Sequence, residues 1–289
     1  MIAQAEVPEA DARGRVGDIY ADIRATLQVP MVNTIYRHLA TLPAALEWAW
    51  SSIRPHMLSG DIARQAAVLR QDVQVDLDAG GPAVHPRRER PEPAQAQCAI
   101  EVVRAYDTAN RLNLVALAHL LRAAAAAPDA PCPAASRADL SQPEPQADPG
   151  QLAPATPGAR LRIPALDALT PELRARVQRL NRYGESAEPQ VVAGLYRQLA
   201  IWPHVLETVE AWLQPWEQRG ILHRARGTAA RSVARQASLQ PLRMAAPSAE
   251  VAARYSDTLR LYSAVVIPKM IPIGLLLRGF LDSAQEAAC

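Results

Sequence analysis

The feature that most constrains this chain is a passage written twice. Residues 32–55 laid on residues 192–215 without a gap match at nine positions, among them Tyr36/Tyr196, Arg37/Arg197, Leu39/Leu199, Ala40/Ala200 and Pro43/Pro203. The match resumes at an offset of 156, where Arg104, Tyr106 and Leu120-Leu121-Arg122 meet Arg260, Tyr262 and Leu276-Leu277-Arg278. Two copies of a unit roughly a hundred residues long are too few and too long for a solenoid. The pattern predicts an internal duplication whose halves bury their apolar faces against each other.

Within each copy the apolar spacing is helical. "DIYADIRATL" and "PELRARVQRLNRY" place apolar residues three and four apart, and Thr170-Pro171-Glu172 supplies an N-cap followed by proline at the first helical position. "GDIARQAAVLRQDV" and the long "AQCAIEVVRAYDTANRLNLVALAHLLRAAAAA" keep that period, and alternating β-branched runs are absent. The expected fold is all-α, with two pseudo-symmetric helical repeats at residues 1–127 and 165–289. Residues 128–164 hold nine prolines in 37 positions, a composition that prevents a helix and predicts an extended or disordered linker. The stretch "AGGPAVHPRRERPEP" reads as a surface loop.

A net charge of +2 with scattered basic residues leaves no electrostatic footprint for nucleic acid or an acidic membrane surface. Arginine almost wholly replaces lysine, Lys269 being the only one, and alanine is abundant, a bias typical of GC-rich bacterial genomes. Cys98, Cys132 and Cys289 are odd in number and far apart, so neither a disulfide framework nor a zinc site is expected. The first fifteen residues have no apolar core, so the expectation is a cytoplasmic chain. "LYSAVVIPKMIPIGLLLRGFL" approaches membrane-spanning length, yet Lys269 sits at its middle, which favours a buried core helix. His38, His119, His204 and His223 lack ligand-spaced partners, so no metal is expected. Phosphate loops, GxSxG elbows and HExxH motifs are missing, and no cofactor is expected.

The segments "YADIRATLQVPMV", "YRHLATLP", "AYDTANRLNLVALAHLL" and "LYRQLAIWPHVL" together resemble the group I 2-haloacid dehalogenases. The resemblance implies an all-α fold of two pseudo-repeats joined by a long linker. It also implies cofactor-free substitution, in which an aspartate activates water to displace halide from carbon with inversion. Carried over by position, the family's asparagine falls on Asn110 and its pocket tryptophan on Met31. Its catalytic aspartate falls near Leu195, with the neighbouring serine at Gly194. Leucine cannot take a proton from water, and general-base help is worth about 10² to 10⁴ in rate. Glu185 and Glu188 are the nearby carboxylates a relocated base would use.

Asn110 is a poor helix former inside a helix, and its amide can both donate and accept. Lys269, between Pro268 and Pro272, sits where a helix is expected to break. If buried, its ammonium requires an anion, such as a departing halide or sulfate or a carboxylate. The duplicated Tyr36/Tyr196 and Arg37/Arg197 read as packing, and Trp48, Trp50, Trp202, Trp212 and Trp216 as core. Asn110 and Lys269 are therefore the catalytic candidates, and Met31, Gly194 and Leu195 the substrate-binding ones.

Three functions fit these residues. In the first, the nucleophile belongs to a small-molecule substrate, and holding it in line replaces activation of water. Proteins that resemble this fold in bacterial natural-product pathways are linked to closure of strained rings such as the aziridine of azinomycin-type compounds, sometimes with a partner protein. The second is a hydrolytic 2-haloacid dehalogenase with a relocated base. The third is a non-catalytic duplicated α-domain used for binding or assembly, as a homodimer or with a partner.

Overall fold

Helix α1 (Gly14–Leu27) forms because Ile19, Tyr20, Ile23 and Leu27 fall on one stripe, and all four are buried. A short α2 (Thr34–Leu39), α3 (Pro43–Leu58), α4 (Asp61–Gly80) and the long α5 (Pro93–Ala125) complete the first half. The second half repeats the order with α6 (Pro171–Asn181), preceded by a 3₁₀ turn at Leu166–Ala168, then α7 (Gly194–Leu199), α8 (Pro203–Gln218), α9 (Ile221–Leu239), α10 (Ala249–Leu261) and α11 (Ile267–Glu286). The chain is seen here as a computed structural model that describes residues 5–80, 93–125, 163–185 and 191–286. Among these there is no strand. The expected linker at 128–164, apart from Ile163 and Pro164, and most of the surface loop lie outside the described residues.

Helix bounds recur across the halves. The starts of α2, α3 and α4 and those of α7, α8 and α9 are 160 positions apart, and α5 and α10 begin 156 apart. Both α3 and α8 open on a proline and carry a second at Pro55 or Pro215. The turns after them use Gly60 and Gly220 at φ 77° and 68°, a left-handed conformation that glycine adopts without a Cβ penalty. Thr170 caps α6 as expected, its hydroxyl accepting from the Leu173 N–H at 3.4 Å.

Like helices pack on like across the centre. α5 lies against α11 and α4 against α9. Asp107 of α5, whose side chain is fully buried, pairs with Arg111 of its own helix at 2.9 Å and joins α11 through Arg278 at 3.3 Å. Asp72 and Asp76 join the second by accepting from Ser232 at 2.5 Å and Thr228 at 2.5 Å. The long helical stretch Ala249–Leu281 is the one segment among the described residues long and apolar enough to cross a membrane. Some 72% of its most apolar window is buried inside the protein, as suits a core helix.

The prolines around Lys269 do not break this helix. It runs on without a break through a π-turn at Tyr262–Val266 into α11, which carries both Pro268 and Pro272.

Candidate functional site

Between the halves lies a narrow cleft with a cavity volume of about 40 Å³. The first half supplies Asn33, Thr34 and Ile35 where the chain enters α2, and Tyr106, Asn110 and Asn113 from one face of α5. The second supplies Val191 to Leu195 at the entry to α7, then Tyr262, Val266, Ile267 and Met270. The cleft is therefore two-faced. Nearly all its polar groups come from the first half, and the second contributes an apolar wall in which Tyr262 is the one polar side chain.

Among the described residues, no carboxylate, lysine, arginine or histidine lines the cleft. Its titratable groups are two phenols, Tyr106 and Tyr262, and burial pushes both well above the ordinary tyrosine value. They remain protonated at neutral pH. Asn110 is 7% exposed, and among the described residues its side chain makes no hydrogen bond. The Tyr106 and Tyr262 hydroxyls, Asn113 Nδ2 and Asn33 Oδ1 are likewise buried without partners. Asn113 Oδ1 accepts from the Tyr36 hydroxyl at 2.8 Å, so the duplicated Tyr36 serves the site indirectly. Chemically, the described cleft residues can orient and hydrogen-bond a ligand, and none of them is a group that deprotonates water.

Of the five residues singled out from sequence, three meet here: Asn110, Gly194 and Leu195. Gly194 is demanded by its neighbour, since a Cβ at that position would come within 2.7 Å of the Tyr106 hydroxyl. Met31 is buried at 1% but packs in the core and not in the cleft lining.

Lys269 also stands outside the cleft. Its ammonium is 3.0 Å from Glu185 Oε1 and donates to the Asn181 carbonyl at 2.6 Å. The anion it requires is thus an internal carboxylate, which leaves no reason to assign it a departing group. Burial pulls the Lys269 ammonium below its usual value, against the opposing pull of Glu185. Glu185, with a side chain 5% exposed, also pairs with Arg226 at 3.1 Å. It is committed to that cluster and does not line the cleft; Glu188 lies outside the described residues.

The cluster shapes the cleft at one remove. Asn181 Nδ2 donates to the Val191 carbonyl at 2.9 Å, and its Oδ1 accepts from the Ala193 N–H at 3.0 Å. Lys269 thereby holds the residue that holds the apolar wall.

The π-turn explains why Lys269 turned away. On α5 the cleft-facing positions are 106, 110 and 113; on the matching helix they are 262, 266 and 270. The offset grows from 156 to 157 across the π-turn, which adds one residue to a turn and rotates the rest of the helix by roughly 100°. Met270 takes the place facing the cleft, and Lys269 swings into the second half.

Sequence reasoning missed Asn33, Asn113, Tyr106 and Tyr262 as lining residues. The last two stand in the duplicated block, where a feature present in both halves reads as packing. No triad of His, Cys, Asp or Glu able to hold a metal occurs among the described residues. Of the three cysteines, Cys98 is exposed and free, and the other two lie outside the described residues.

No family profile matches the chain. A 49-residue segment is 43% identical to the (R)-2-haloacid dehalogenase of Pseudomonas putida, covering 17% of this chain and 16% of that protein. A 37-residue segment is 51% identical to the (R)-2-haloacid dehalogenase of Rhizobium sp. (strain NHG3), covering 13% and 14%. The matched segments thus span about one-sixth of these relatives' own lengths. Solved structures align far more widely. A D-2-haloacid dehalogenase in complex with L-LA superimposes with a TM-score of 0.69 at 17% identity, over 98% of this chain and 96% of that one. A mutant in complex with D-2-CPA gives 0.67 at 18% over the same shares. The fold of this chain is that of the D-2-haloacid dehalogenases, group I.

Proposed function

We propose that this chain catalyses cofactor-independent nucleophilic substitution at an activated sp³ carbon, with the nucleophile carried by a small-molecule substrate. The specific form is ring closure, such as aziridine formation by displacement of sulfate or halide, in bacterial natural-product biosynthesis. The observation that carries this reading is a cleft whose described residues offer hydrogen-bonding groups but no carboxylate, with Leu195 near the place where the resemblance puts a water-activating aspartate.

The chemistry asks little of the protein. A C–N bond forms as the bond from carbon to the leaving group breaks, and the ring nitrogen's proton passes to solvent. The apolar wall of Val191, Val192, Leu195, Val266, Ile267 and Met270 weakens solvation of the nucleophile. The free amide of Asn110 orients the reactants. Well-oriented intramolecular groups reach effective molarities of about 10⁵ to 10⁸ M, which makes a general base less necessary. On this reading the chain works in the cytoplasm as two repeats joined by the proline-rich linker, either as a homodimer or with a partner protein.

In ¹⁸O-labelled water the expected product is cyclised and carries no label at the reacting carbon. Asn110→Ala is expected to slow its formation tenfold or more, about 1.4 kcal/mol of barrier. Labelled alcohol as the main product would overturn ring closure. It would favour a hydrolytic 2-haloacid dehalogenase, the second reading, which the local identities of 43% and 51% support. Halide release from 2-chloropropionate tests that alternative directly.

A further inference from the structure

We propose that the extended segment joining α9 to α10 is a pH-limited clasp between the halves, docked by a doubly protonated His56 and a neutral His119. Residues 241–248 belong to the second half and adopt neither helix nor strand. An extended segment with no strand beside it depends on side chains to pair its backbone. Here those side chains come from three helices of the first half. Trp48 Nε1 on α3 donates to the Ala245 carbonyl at 2.7 Å, and Gln65 Nε2 on α4 donates to the Gln240 carbonyl at 3.0 Å. His56 Nε2 on α3 lies 2.9 Å from the Arg243 carbonyl, and His119 Nδ1 on α5 accepts from the Leu242 N–H at 3.4 Å. The docking continues into α10, where the Tyr255 and Thr41 hydroxyls meet at 2.7 Å.

The two rings grip consecutive residues and need opposite protonation to do so. His56 faces two acceptors, the Arg243 carbonyl at Nε2 and Asp61 Oδ2 at Nδ1, 3.2 Å away, and satisfies both only with a proton on each nitrogen. Gln65 spends its amide nitrogen on Gln240, so its Oε1 is an acceptor for His119 Nε2 at 2.9 Å. With an acceptor at Nε2 and an N–H at Nδ1, His119 satisfies both only with a single proton. The charges around them keep the two states apart. Asp61 of α4, itself bound by Ser59 and Arg64, stands beside His56. Arg122, one turn along α5, and His56 both oppose a second proton on His119, as burial does. The cation of the segment itself, Arg243, is exposed. A second proton on His119 removes the lone pair that holds Leu242, and a proton lost from His56 turns a lone pair toward Asp61 or Arg243. Histidine is the side chain whose charge changes near neutrality, so the clasp has an acid limit and an alkaline one. The segment leads into α10, which runs through the π-turn into the helix carrying Ile267 and Met270 of the cleft wall.

The clasp rests on contacts between the halves and is independent of the proposed reaction. Amide exchange of the full chain, followed by NMR from about pH 3.5 to about pH 9 and corrected for intrinsic exchange rates, tests it. The Leu242 N–H is expected to pass through a protection maximum and to lose about tenfold or more toward each end, while the Leu117 N–H inside α5 keeps its protection. His56→Gln, which donates without titrating, is expected to abolish the alkaline fall and leave the acid one. His119→Gln, which keeps an acceptor for Leu242, is expected to do the reverse. At the maximum, imidazole ¹⁵N shifts of the unaltered chain should show His56 protonated on both nitrogens and His119 on Nε2 alone, a readout that needs neither variant to fold. Protection of Leu242 that is flat with pH overturns the clasp, as does a fall that Leu117 shares. So does a limit that survives in the variant meant to abolish it, or a singly protonated His56 at the maximum.

Discussion

Replacing Lys269 by methionine keeps the volume of a side chain that is 1% exposed while deleting its charge. Breaking a buried pair by removing one partner costs roughly 3–5 kcal/mol when the other charge is stranded. Glu185 is not fully stranded, because Arg226 remains 3.1 Å from its other oxygen. The Asn181 carbonyl, however, loses a donor at 2.6 Å. The expected loss therefore lies at the low end, about 3 kcal/mol, read from urea unfolding as a lowered midpoint with an unchanged slope. Adding Glu185→Gln removes the residual charge, and the double variant should recover at least about 1 kcal/mol relative to the sum of the single changes. A loss below about 1 kcal/mol for Lys269→Met, or simple additivity, would refute the reasoning. It would mean that the ammonium reaches water, as a snorkelling lysine does.

The remaining expectations each rest on single contacts. Gly194→Ala drives a Cβ into the Tyr106 hydroxyl and should destabilise by about 1–3 kcal/mol, with Tyr106→Phe in the same chain restoring at least half; thermal melts decide. His119 is held neutral, its value lowered to about 4 chiefly by burial and also by Arg122 and His56. The Leu242 N–H donates to its Nδ1 at 3.4 Å and Gln65 Oε1 lies 2.9 Å from its Nε2, which leaves no room for a second proton. The unfolded chain takes up that proton near pH 6.5 and the folded one does not, so stability falls as pH drops from 6.5 to 4, by about 3 kcal/mol in all. Chemical denaturation across that range should show His119→Asn with a visibly flatter pH dependence than the unaltered chain.

The helical fold was legible because its causes are local. The three- and four-residue spacing in α1 and the Thr170-Pro171 start of α6 appear in the structure as read. Two of the cleft residues, Gly194 and Leu195, were legible only through the resemblance, and nothing in their own chemistry announces a site. Lys269 escapes a reading from spacing because a π-turn carries no plain sequence mark, and counting from the duplicated block sets it one position out of phase. Tyr106 and Tyr262 escape it for a different reason. Duplication argues for packing only where the two copies do not converge, and convergence is a property of tertiary structure that spacing along the chain does not encode.

That π-turn also bears on how a doubled scaffold becomes lopsided. Two identical halves facing each other would give a cleft whose opposite walls are twins, an arrangement ill suited to a ligand with distinct ends. Substituting the wall residues one by one would break the symmetry slowly. A single residue added to one turn does it at once, rotating the helix beyond it by roughly 100° so that a different row of side chains faces the cleft. Beyond the turn at Tyr262–Val266, Met270 and not Lys269 lies on the cleft wall. In this protein, the surface that Val266, Ile267 and Met270 give the cleft is set by the angle at which a helix emerges from one loose turn.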